Sequence, residues 1–472
     1  MQLNETLIRD VVQQVLRQLD TTATKTPNGC FGVFQDAAQA VAAAQDAYIQ
    51  ISKRTIAERG QAIEAIRGVL REGAVELGTM EMTETKIGRL EHKIDKLYGA
   101  ANSLGIEFLR SEVFSGDHGL TVIEHAPFGV IGAITPVTHS LPTIACNSIE
   151  MLAAGNTVVF NPHPSGRLIA VEGVRRMNQA IAKAIGIENL LCVIEKPTLQ
   201  TADVIFHHPD VRLIMVTGGA GVAKAALKSG KRAITAGPGN PPVVVDETAD
   251  LDHAARSIIY GGAYDNNLLC IAEKEVFVVE KVFDAMMDAM ERAGAMRFNA
   301  AEVEQFTKLG IVQVGEGDQK HDAPSREFLG KDAAMIARAV GRTADAKLEL
   351  CYGETDEANP FVPVEQMMPF VPFVRARDID HAVEMSVRAE HGFRHTAIIH
   401  SHDVNHMTKM GKAVDTTIFV KNGPCNAGLG AGGEGYGSYS IAGPTGEGIT
   451  TPLTFCRERR CVMVDNLRIL GK

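Results

Sequence analysis

The stretch "APFGVIGAITPVTHSLPTIACNSIEMLAAGNTVVFNPHPSG" (residues 126–166) decides the fold class of this chain. Its short apolar runs "GVIGAIT" (129–135) and "NTVVFNP" (156–162) are typical of buried strands. The segment between them, "SLPTIACNSIEMLAAG", has the length and alanine content of a helix. Strand, helix and strand in this order predict one unit of a parallel sheet whose faces are covered by helices.

The same alternation continues beyond this stretch. Further buried strands are predicted at "NLLCVIE" (189–195), "VRLIMVTG" (211–218) and "PPVVVD" (241–246), with helical segments between them. A second alternation begins at "EKEVFVV" and reaches about residue 440, whereas residues 37 to about 110 have a helical pattern. We therefore predict an α/β fold with doubly wound parallel sheets.

One glycine-rich loop lies where such a sheet binds its ligands, which is at the carboxyl ends of the strands. The loop "VTGGAGVAKAA" (216–226) ends a strand and opens a helix, and Thr217, Gly218 and Gly219 allow its backbone to approach a phosphate. The pattern is not GxGxxG, so a plain strand-to-helix turn is an equal interpretation.

Composition bounds the class of protein. A chain of 472 residues predicts two or three domains, and 45% hydrophobic with 22% charged residues is typical of soluble globular proteins. The net charge of −10 argues against a nucleic-acid partner, which would need a basic surface. No continuous apolar stretch is long enough to predict a membrane span, and the N-terminus lacks the pattern of a secretory signal.

The cysteines predict free thiols in a reducing compartment. They form no CxxC pair and no His/Cys cluster at zinc spacing, so we expect no metal site. Cys270, in "DNNLLCIAEKE" (265–275), lies between an amide-rich turn and an apolar run. Free cysteine is among the most buried residue types, so the residue by itself allows two interpretations: a nucleophile or a small core residue.

The first residues predict an amphipathic helix over 1–20 followed by a linker over 21–29. Apolar residues share one helical stripe in "QLNETLIRDVVQQVLRQL" (2–19), and the small polar stretch after it is broken by Pro27 and Gly29. Such a helix is expected to dock on a partner, with folding back onto its own domain as the alternative.

The end of the chain predicts a loop and a strand. The glycine-heavy stretch 426–448 is expected to be an extended loop over the surface or the cleft. The segment "TTPLTFCRERRCVMVD" predicts a strand that has no partner strand nearby in the sequence. Strands of this kind often complete the sheet of a neighbouring subunit in an oligomer.

Several long motifs, in the correct order, resemble the aldehyde dehydrogenase superfamily over nearly the whole chain after residue 30. They are residues 126–166, "VTGGAGVAKAALKSGKRAITAGPGNPPVVVDETADL", "DNNLLCIAEKEVFVV" and "VEQMMPFVPF". The resemblance is to the CoA-acylating acetaldehyde or propionaldehyde dehydrogenases of bacterial microcompartments. It implies three parts, which are a Rossmann-like NAD domain (30–111 and 128–240), an α/β catalytic domain (241–440) and a small oligomerisation element (112–127 and 449–472).

The resemblance implies that Cys270 is the nucleophile. It would attack the aldehyde, pass a hydride to NAD and keep the acyl group as a thioester until CoA takes it. Thr138, in "TPVTHS", corresponds to an asparagine that donates to the oxyanion in hydrolytic relatives. Ala236, in "AGPGNPP", stands where those relatives carry the glutamate that activates water. The acyl-enzyme is therefore expected to react with CoA rather than with water.

The resemblance also implies how the nucleotide is held. The cofactor-binding residues that it indicates are Thr217, Gly218, Gly219, Pro162 and Glu365. Glu365 matches a glutamate that grips the nicotinamide ribose, with an ordinary surface glutamate as the alternative. Asn161 stands where relatives use a lysine for the adenosine ribose, so the nucleotide is expected to be held somewhat differently here.

Enzymes of this group carry a short amphipathic encapsulation peptide before the main domain. The implied function is the NAD-dependent oxidation of a short-chain aldehyde such as propionaldehyde to acyl-CoA. It would be carried out by a homo-oligomer in the microcompartment lumen, with shell or cargo proteins bound through residues 1–20. Two alternatives remain: a hydrolytic aldehyde dehydrogenase that gives the free acid, and a structural cargo protein without activity.

Overall fold

The structure is a computed structural model that describes residues 30–317 and 320–469. The predicted helix over residues 1–20 and the linker over residues 21–29 lie outside the described residues. No helix of the described part of the chain combines the length and the apolar character that a membrane crossing needs.

Helices and strands alternate along most of the chain. The helices are α1 Ala37–Ile51, α2 Ile56–Thr85, α3 Leu90–Ala101, α4 Ser140–Ala153, α5 Arg167–Ile185, α6 Leu199–His207, α7 Ala220–Lys228, α8 Leu251–Ala263, α9 Phe283–Arg292, α10 Ala300–Gly310, α11 Ala333–Ala339, α12 Ile379–Glu390 and α13 Val404–Val414. The strands are β1 Val33–Phe34, β2 Glu112–Gly116, β3 Gly119–Pro127, β4 Val130–Thr135, β5 Thr157–Pro162, β6 Leu191–Ile194, β7 Val211–Thr217, β8 Ala233–Ala236, β9 Pro242–Val245, β10 Glu275–Val279, β11 Met296–Phe298, β12 Ile311–Val314, β13 His321–Pro324, β14 Cys351–Thr355, β15 Phe370–Ala376, β16 Thr396–His400, β17 Ile418–Lys421, β18 Ile441–Ala442, β19 Gly448–Ile449 and β20 Cys456–Val464.

The first large sheet is parallel throughout, in the order β1-β6-β5-β4-β7-β8. Successive residues of β4 pack into different cores, since Ile131 and Ala133 lie in one apolar cluster and Val130 and Ile134 in another. Both faces of the strand are thus buried, which explains the continuous apolar run in the sequence. The strand order reverses between β4 and β7, and this opens a crevice at their carboxyl ends.

The second large sheet is also parallel throughout, in the order β11-β14-β15-β10-β9-β16-β17. Its central strand β10 is buried along its whole length and follows Cys270 closely in the chain. Val276 and Val278 pack on one face and Phe277 on the other. Two doubly wound parallel sheets confirm the predicted α/β fold class.

A small antiparallel sheet, β2-β3-β20, extends from the two large ones. The C-terminal strand β20, which the sequence left without a partner, pairs with β3 of the same chain from Cys456 opposite Pro127 to Val464 opposite Gly119. The local pattern gave no partner because β3 lies more than three hundred residues away in the chain, whereas the family resemblance placed both segments in one element. The role of this sheet in oligomerisation and the predicted domain boundaries remain predictions.

The glycine-heavy stretch 426–448 crosses the cleft as a loop, interrupted by the short strand β18. This strand pairs with β19 through Ile441 and Ile449. Tyr439, just before β18, lines the space between the two large sheets. The stretch therefore covers the cleft, which was one of the two positions expected for it.

Candidate active site

A cavity of about 170 Å³ lies between the two large sheets. The predicted site residues that line it are Thr138, Thr217, Gly218, Gly219, Ala236, Cys270 and Glu365. Pro162 ends β5 in the first sheet, and neither it nor Asn161 belongs to the cavity wall. The structure thus brings together all the predicted site residues except Pro162.

The two sheets contribute to the cavity with opposite ends of their strands. The first sheet supplies residues that end or follow strands, such as Thr138 after β4 and Thr217 at the end of β7. The second sheet supplies residues that precede strands, such as Cys270 before β10 and Glu365 before β15. The rule that ligands bind at carboxyl ends therefore predicts only half of this site.

The turn that leads to Cys270 has an unusual backbone. Asp265, Asn266 and Asn267 follow one another in the left-handed region, with φ of 49°, 56° and 64°. Aspartate and asparagine adopt this conformation at lower cost than other residues with a side chain, and strain of this kind concentrates at functional sites. Asn267 Nδ2 donates to the carbonyls of Gly262 at 2.8 Å and Glu273 at 2.9 Å, which holds the turn closed.

The Cys270 thiol is half-buried at the end of this turn. Burial raises the pKa of Cys270 to about 12, and the nearby Glu365 carboxylate adds to the rise. Lys274 and the backbone N–H groups of Cys270 and Ile271 act in the opposite direction. The resting residue is therefore a neutral thiol at physiological pH, and attack requires removal of its proton.

Lys274 is a fully buried cation beside the nucleophile. Its Nζ donates to the carbonyl of Asn267 at 2.8 Å and to the Oδ1 of Asn267 at 2.6 Å. Burial lowers the pKa of Lys274, whereas the Glu365 carboxylate opposes that effect. Gln366 Nε2 donates to the Lys274 carbonyl at 2.7 Å. Lys274 thus connects the turn before Cys270 with the segment that carries Glu365.

His395 is a cavity residue that sequence reasoning missed. It is 1% exposed, its Nδ1 lies 2.9 Å from the Thr396 hydroxyl, and its Nε2 has no hydrogen-bond partner among the described residues. Burial, and next the charge of Lys274, lowers the pKa of His395 to about 4, so the ring is neutral at physiological pH. A lone histidine before an apolar strand looks like a core residue, and only the fold brings it to Cys270.

Ala236 ends β8 with its methyl group in the cavity wall, 3% exposed. Among the described residues of that wall, Glu365 carries the one carboxylate. Burial raises the pKa of Glu365, and Lys274 and the backbone of Gly239 oppose the rise. The described wall of the cavity therefore offers no second acid beside Cys270.

The loop from Thr217 to Gly219 fits an anionic nucleotide. A Cβ at Gly218 or Gly219 would meet no atom within 4 Å, so the space in front of this backbone is open. Gly219 is the N-cap of α7 and gives no side-chain hydrogen bond to the helix N–H groups. Open N–H groups at a helix N-terminus attract phosphate. The Thr217 hydroxyl is turned toward Ser440 Oγ, at 2.7 Å.

A second and larger cavity, of about 490 Å³, adjoins the first at Tyr439, which lines both. Aromatic side chains from three elements dominate its wall, with Tyr98, Tyr264 and Tyr436 among them. Lys96 of α3 also lines it. This cavity extends to the segment before Cys270, since Tyr264 and Leu269 also line it.

One group of potential metal ligands lies elsewhere, at the end of β9. Asp246, Glu247 and His406 bring their ligand atoms within 4.8 Å of one another. The Asp246 carboxylate already accepts hydrogen bonds from the hydroxyls of Thr248 at 2.6 Å and Ser401 at 2.5 Å, and it lies 2.7 Å from His406 Nδ1. The carboxylate is therefore occupied in fixing the loops after β9 and β16.

Comparison with known proteins agrees with this geometry. The aldehyde dehydrogenase family model matches residues 32–439. The chain is 42% identical over 471 residues to the acetylating acetaldehyde dehydrogenase EutE of Salmonella typhimurium, across 99% of this chain and 100% of that enzyme.

Two solved structures are similar to this one. The propionaldehyde dehydrogenase of Rhodopseudomonas palustris, with bound CoA and an acylated cysteine, superposes with a TM-score of 0.88 at 44% identity, over 92% of this chain and 98% of that one. The propionaldehyde dehydrogenase from the Clostridium phytofermentans fucose utilisation bacterial microcompartment gives 0.89 at 43% identity, over 93% and 100%.

The chain belongs to the aldehyde dehydrogenase family. Within that family its similarity is to the CoA-acylating members, as the sequence motifs predicted.

Proposed function

We propose that this chain is an NAD-dependent, CoA-acylating dehydrogenase of short-chain aldehydes. The overall reaction converts aldehyde, NAD⁺ and CoA into acyl-CoA, NADH and one proton. The observation that carries the proposal is a half-buried Cys270 in a cavity whose wall has Ala236 where a water-activating carboxylate would stand. A thioester formed there has no carboxylate at position 236 to activate water, and it can react with a second thiol.

Cys270 performs the covalent steps. Its sulfur attacks the aldehyde carbon to form the thiohemiacetal alkoxide, and the thiol proton is released to solvent as the one proton of the overall reaction. NAD, when bound, supplies the acceptor for the hydride of that carbon, which leaves a thioester on Cys270. The CoA thiol then attacks the thioester carbonyl, Cys270 departs as the leaving group, and acyl-CoA is released.

Thr138 and His395 serve these steps from the cavity wall. The Thr138 hydroxyl is the donor for the oxygen that becomes negative during attack, in place of the asparagine of hydrolytic relatives. His395 is neutral and its Nε2 has no hydrogen-bond partner among the described residues, so it is placed to accept a hydrogen bond from the CoA thiol.

The cofactor-binding residues are Thr217, Gly218, Gly219, Pro162 and Glu365. The loop from Thr217 to Gly219 supports this role because it lines the cavity, leads into the N-terminus of α7, and leaves open space in front of Gly218 and Gly219. Glu365 supports it because its carboxylate lies on the same wall as Cys270. Pro162 ends the neighbouring strand β5, so it would contact a part of the nucleotide more remote from the nicotinamide.

The substrate is a short-chain aldehyde. Pockets that bury drug-sized ligands have volumes of roughly 300–1,000 Å³. The cavity beside Cys270, at about 170 Å³, is smaller and fits a small reacting group. The named relatives act on acetaldehyde and propionaldehyde, and we extend that substrate class to this chain.

We also propose that the enzyme is a homo-oligomer in a microcompartment lumen, addressed there by residues 1–20. The amphipathic pattern of these residues and the microcompartment origin of one relative support this location. The exposed Val113 and Phe114 of β2, beside β3, support an oligomer that buries this edge.

Product analysis separates this function from its two alternatives, a hydrolytic aldehyde dehydrogenase and a structural cargo protein without activity. With C2 to C4 aldehydes and NAD, acyl-CoA should form in equal amount to NADH when CoA is present, with little free acid. A hydrolytic enzyme would form NADH and free acid without CoA. A structural cargo protein would form no NADH under either condition.

A further inference from the structure

Two buried lysines of α3 converge behind the loop that carries Thr138. Lys93 Nζ donates to the Thr138 carbonyl oxygen at 3.0 Å, and Lys96 Nζ lies 3.4 Å from the same oxygen. Both ammonium groups also pair with the Asp265 carboxylate, Lys93 at 3.5 Å and Lys96 in closer contact. Thr138 and Asp265 therefore share two cations. Thr138 follows β4 of the first sheet, whereas Asp265 lies between α8 and β10, which belongs to the second sheet.

The N-terminal part of α3 and the residue before it also hold Asp265 by two hydrogen bonds that involve backbone N–H groups. The Arg89 N–H donates to Asp265 Oδ1 at 2.8 Å, and the Asp265 N–H donates to His92 Nδ1 at 2.9 Å. Asp265 is the first of the three left-handed residues before Cys270. The position of this helix therefore determines where the turn to Cys270 begins.

The cluster is almost completely removed from water. Lys93, Glu81 and Asp265 are 0% exposed and Lys96 is 2% exposed. Lys93 also pairs with Glu81 at 3.5 Å, so two cations face two anions. Buried ion pairs contribute little to stability, because the loss of hydration offsets their attraction. Stability alone therefore does not explain two buried cations that hold the Thr138 carbonyl and the Asp265 carboxylate.

Lys96 occupies the junction of the two cavities. It lines the larger cavity, and its Nζ lies 3.0 Å from Nδ1 of His139, whose side chain lines the cavity of Cys270. The Lys96 carbonyl accepts a hydrogen bond from the Tyr439 hydroxyl at 2.8 Å, and Tyr439 lines both cavities. Lys96 therefore contacts residues of both cavities, His139 through its ammonium group and Tyr439 through its carbonyl.

We propose that Lys96 is a positioning residue for acylation, whose ammonium group ties the Thr138 loop to Asp265 and so keeps the Thr138 hydroxyl in register with the Cys270 thiol. The inference rests on the proposed function, because it concerns the step in which Cys270 takes the acyl group. Lys93 holds the same two partners from one turn earlier in the helix.

Lys96 is expected to lose its charge at a lower pH than an ordinary lysine. Burial lowers the pKa of Lys96 to about 8, although Asp265 opposes this effect. For Lys93, the effect of burial is outweighed by Asp265 and Glu81, and the pKa of Lys93 is raised.

Titratable groups from several elements surround Lys96. They are His92, Lys93 and Asp95 of α3, Glu81 of α2, Tyr264 and Asp265 before Cys270, His139 after β4, and Tyr439 before β18. The tie is therefore complete below the pKa of Lys96 and weakens above it.

The test is the single-turnover rate of acylation, with saturating aldehyde and NAD and no CoA, between pH 6 and pH 9.5. In the wild-type enzyme this rate should rise with pH and flatten near pH 8, because the gain in thiolate is offset by the loss of the Lys96 charge. Lys96→Met should reduce the rate below pH 8 by between about tenfold and a hundredfold, and the deficit should shrink above it. Lys96→Arg should recover part of the rate and remove the flattening, since arginine stays charged.

A matched control is Lys183→Met, which removes an exposed lysine of α5 and should follow the wild-type profile. A deficit of Lys96→Met that is the same at every pH would overturn the inference, as would a wild-type profile with no break near pH 8. The wild-type profile is measured on the unaltered enzyme, so this second criterion holds even if a variant fails to fold. Failure of the wild-type enzyme to form an acyl-enzyme would instead contradict the proposed function.

Discussion

Cys270 and Lys274 show how much of the chemistry depends on single residues. The thiol has a raised pKa, and Lys274 is the side chain that most lowers it. The same ammonium group binds both oxygens of Asn267, so it stabilises the turn as well as the thiolate. One residue thus links the backbone strain to the reactivity of the cysteine.

Lys274→Met should slow the alkylation of Cys270 by iodoacetamide. Loss of the cation raises the pKa of the thiol further, and each pKa unit reduces the thiolate fraction about tenfold at a fixed pH below the pKa. Peptide-resolved labelling at pH 8 measures this effect, with the exposed Cys461 as the internal reference. An unchanged ratio of Cys270 to Cys461 labelling would show that Lys274 has no electrostatic role.

Ala236→Glu should increase hydrolysis of the acyl-enzyme. The new carboxylate would occupy the wall position from which hydrolytic relatives activate water, and general-base help is worth roughly a hundredfold when the geometry is right. The free acid formed without CoA is the quantity to measure. If a folded variant gave no more acid than the wild type, the absence of this carboxylate would not be the reason that water is excluded.

At the scale of elements, α3 and the turn 265–267 form the support behind the site. Gly88, just before α3, has φ of +85°, and a Cβ there would overlap the Asp265 carboxylate. Asn266 Nδ2 donates to the carbonyl of Gly330 at 3.0 Å and to Asp332 Oδ1 at 3.0 Å, which ties the turn to the segment before α11. The left-handed turn is held between the segment at the start of α3 and the segment before α11.

Gly88→Ala should therefore impair both stability and acylation. A left-handed alanine costs on the order of 1–3 kcal/mol, and the overlap with Asp265 adds to this cost. Gly186→Ala is the matched control, because Gly186 has φ of +72° with no atom near the added Cβ. Thermal unfolding should show a larger loss for Gly88→Ala, and only that variant should lose acylation rate. Equal losses in both variants would mean that the contact with Asp265 is unimportant.

At the scale of the whole molecule, the sequence predicted the sheets better than the site. The apolar runs of β4, β5 and β7 identify buried parallel strands because both of their faces are covered. The pairing of β20 with β3 and the arrival of His395 beside Cys270 depend on contacts between distant parts of the chain. Local patterns carry no signal for either, and the cluster of Lys93, Lys96 and Asp265 was missed for the same reason.

Removing residues 1–20 should change the location of the enzyme and leave its catalysis intact. The predicted apolar stripe includes Val12 and Leu16. Burying this stripe against a shell or cargo protein stabilises the complex by ~25 cal/mol per Å² of apolar surface removed from water. The kcat and KM of the shortened enzyme should equal those of the full chain, and the protein should no longer co-purify with shells. A fusion of residues 1–20 to a fluorescent protein should enter shells, and Val12→Asp with Leu16→Asp should abolish this entry. If the shortened enzyme were retained in shells, the encapsulation signal would lie in the rest of the protein and not in residues 1–20.

The most direct test of the account is to trap the acyl group on the chain. Incubation with propionaldehyde and NAD in the absence of CoA, followed by acid quenching and peptide mass spectrometry, should find one propionyl group on the peptide that contains Cys270. Addition of CoA before quenching should remove that group and release an equal amount of propionyl-CoA, and Cys270→Ser should carry no acyl group. NADH formation without an acylated Cys270 peptide, or an acyl group on another cysteine, would contradict the assignment of Cys270 as the nucleophile.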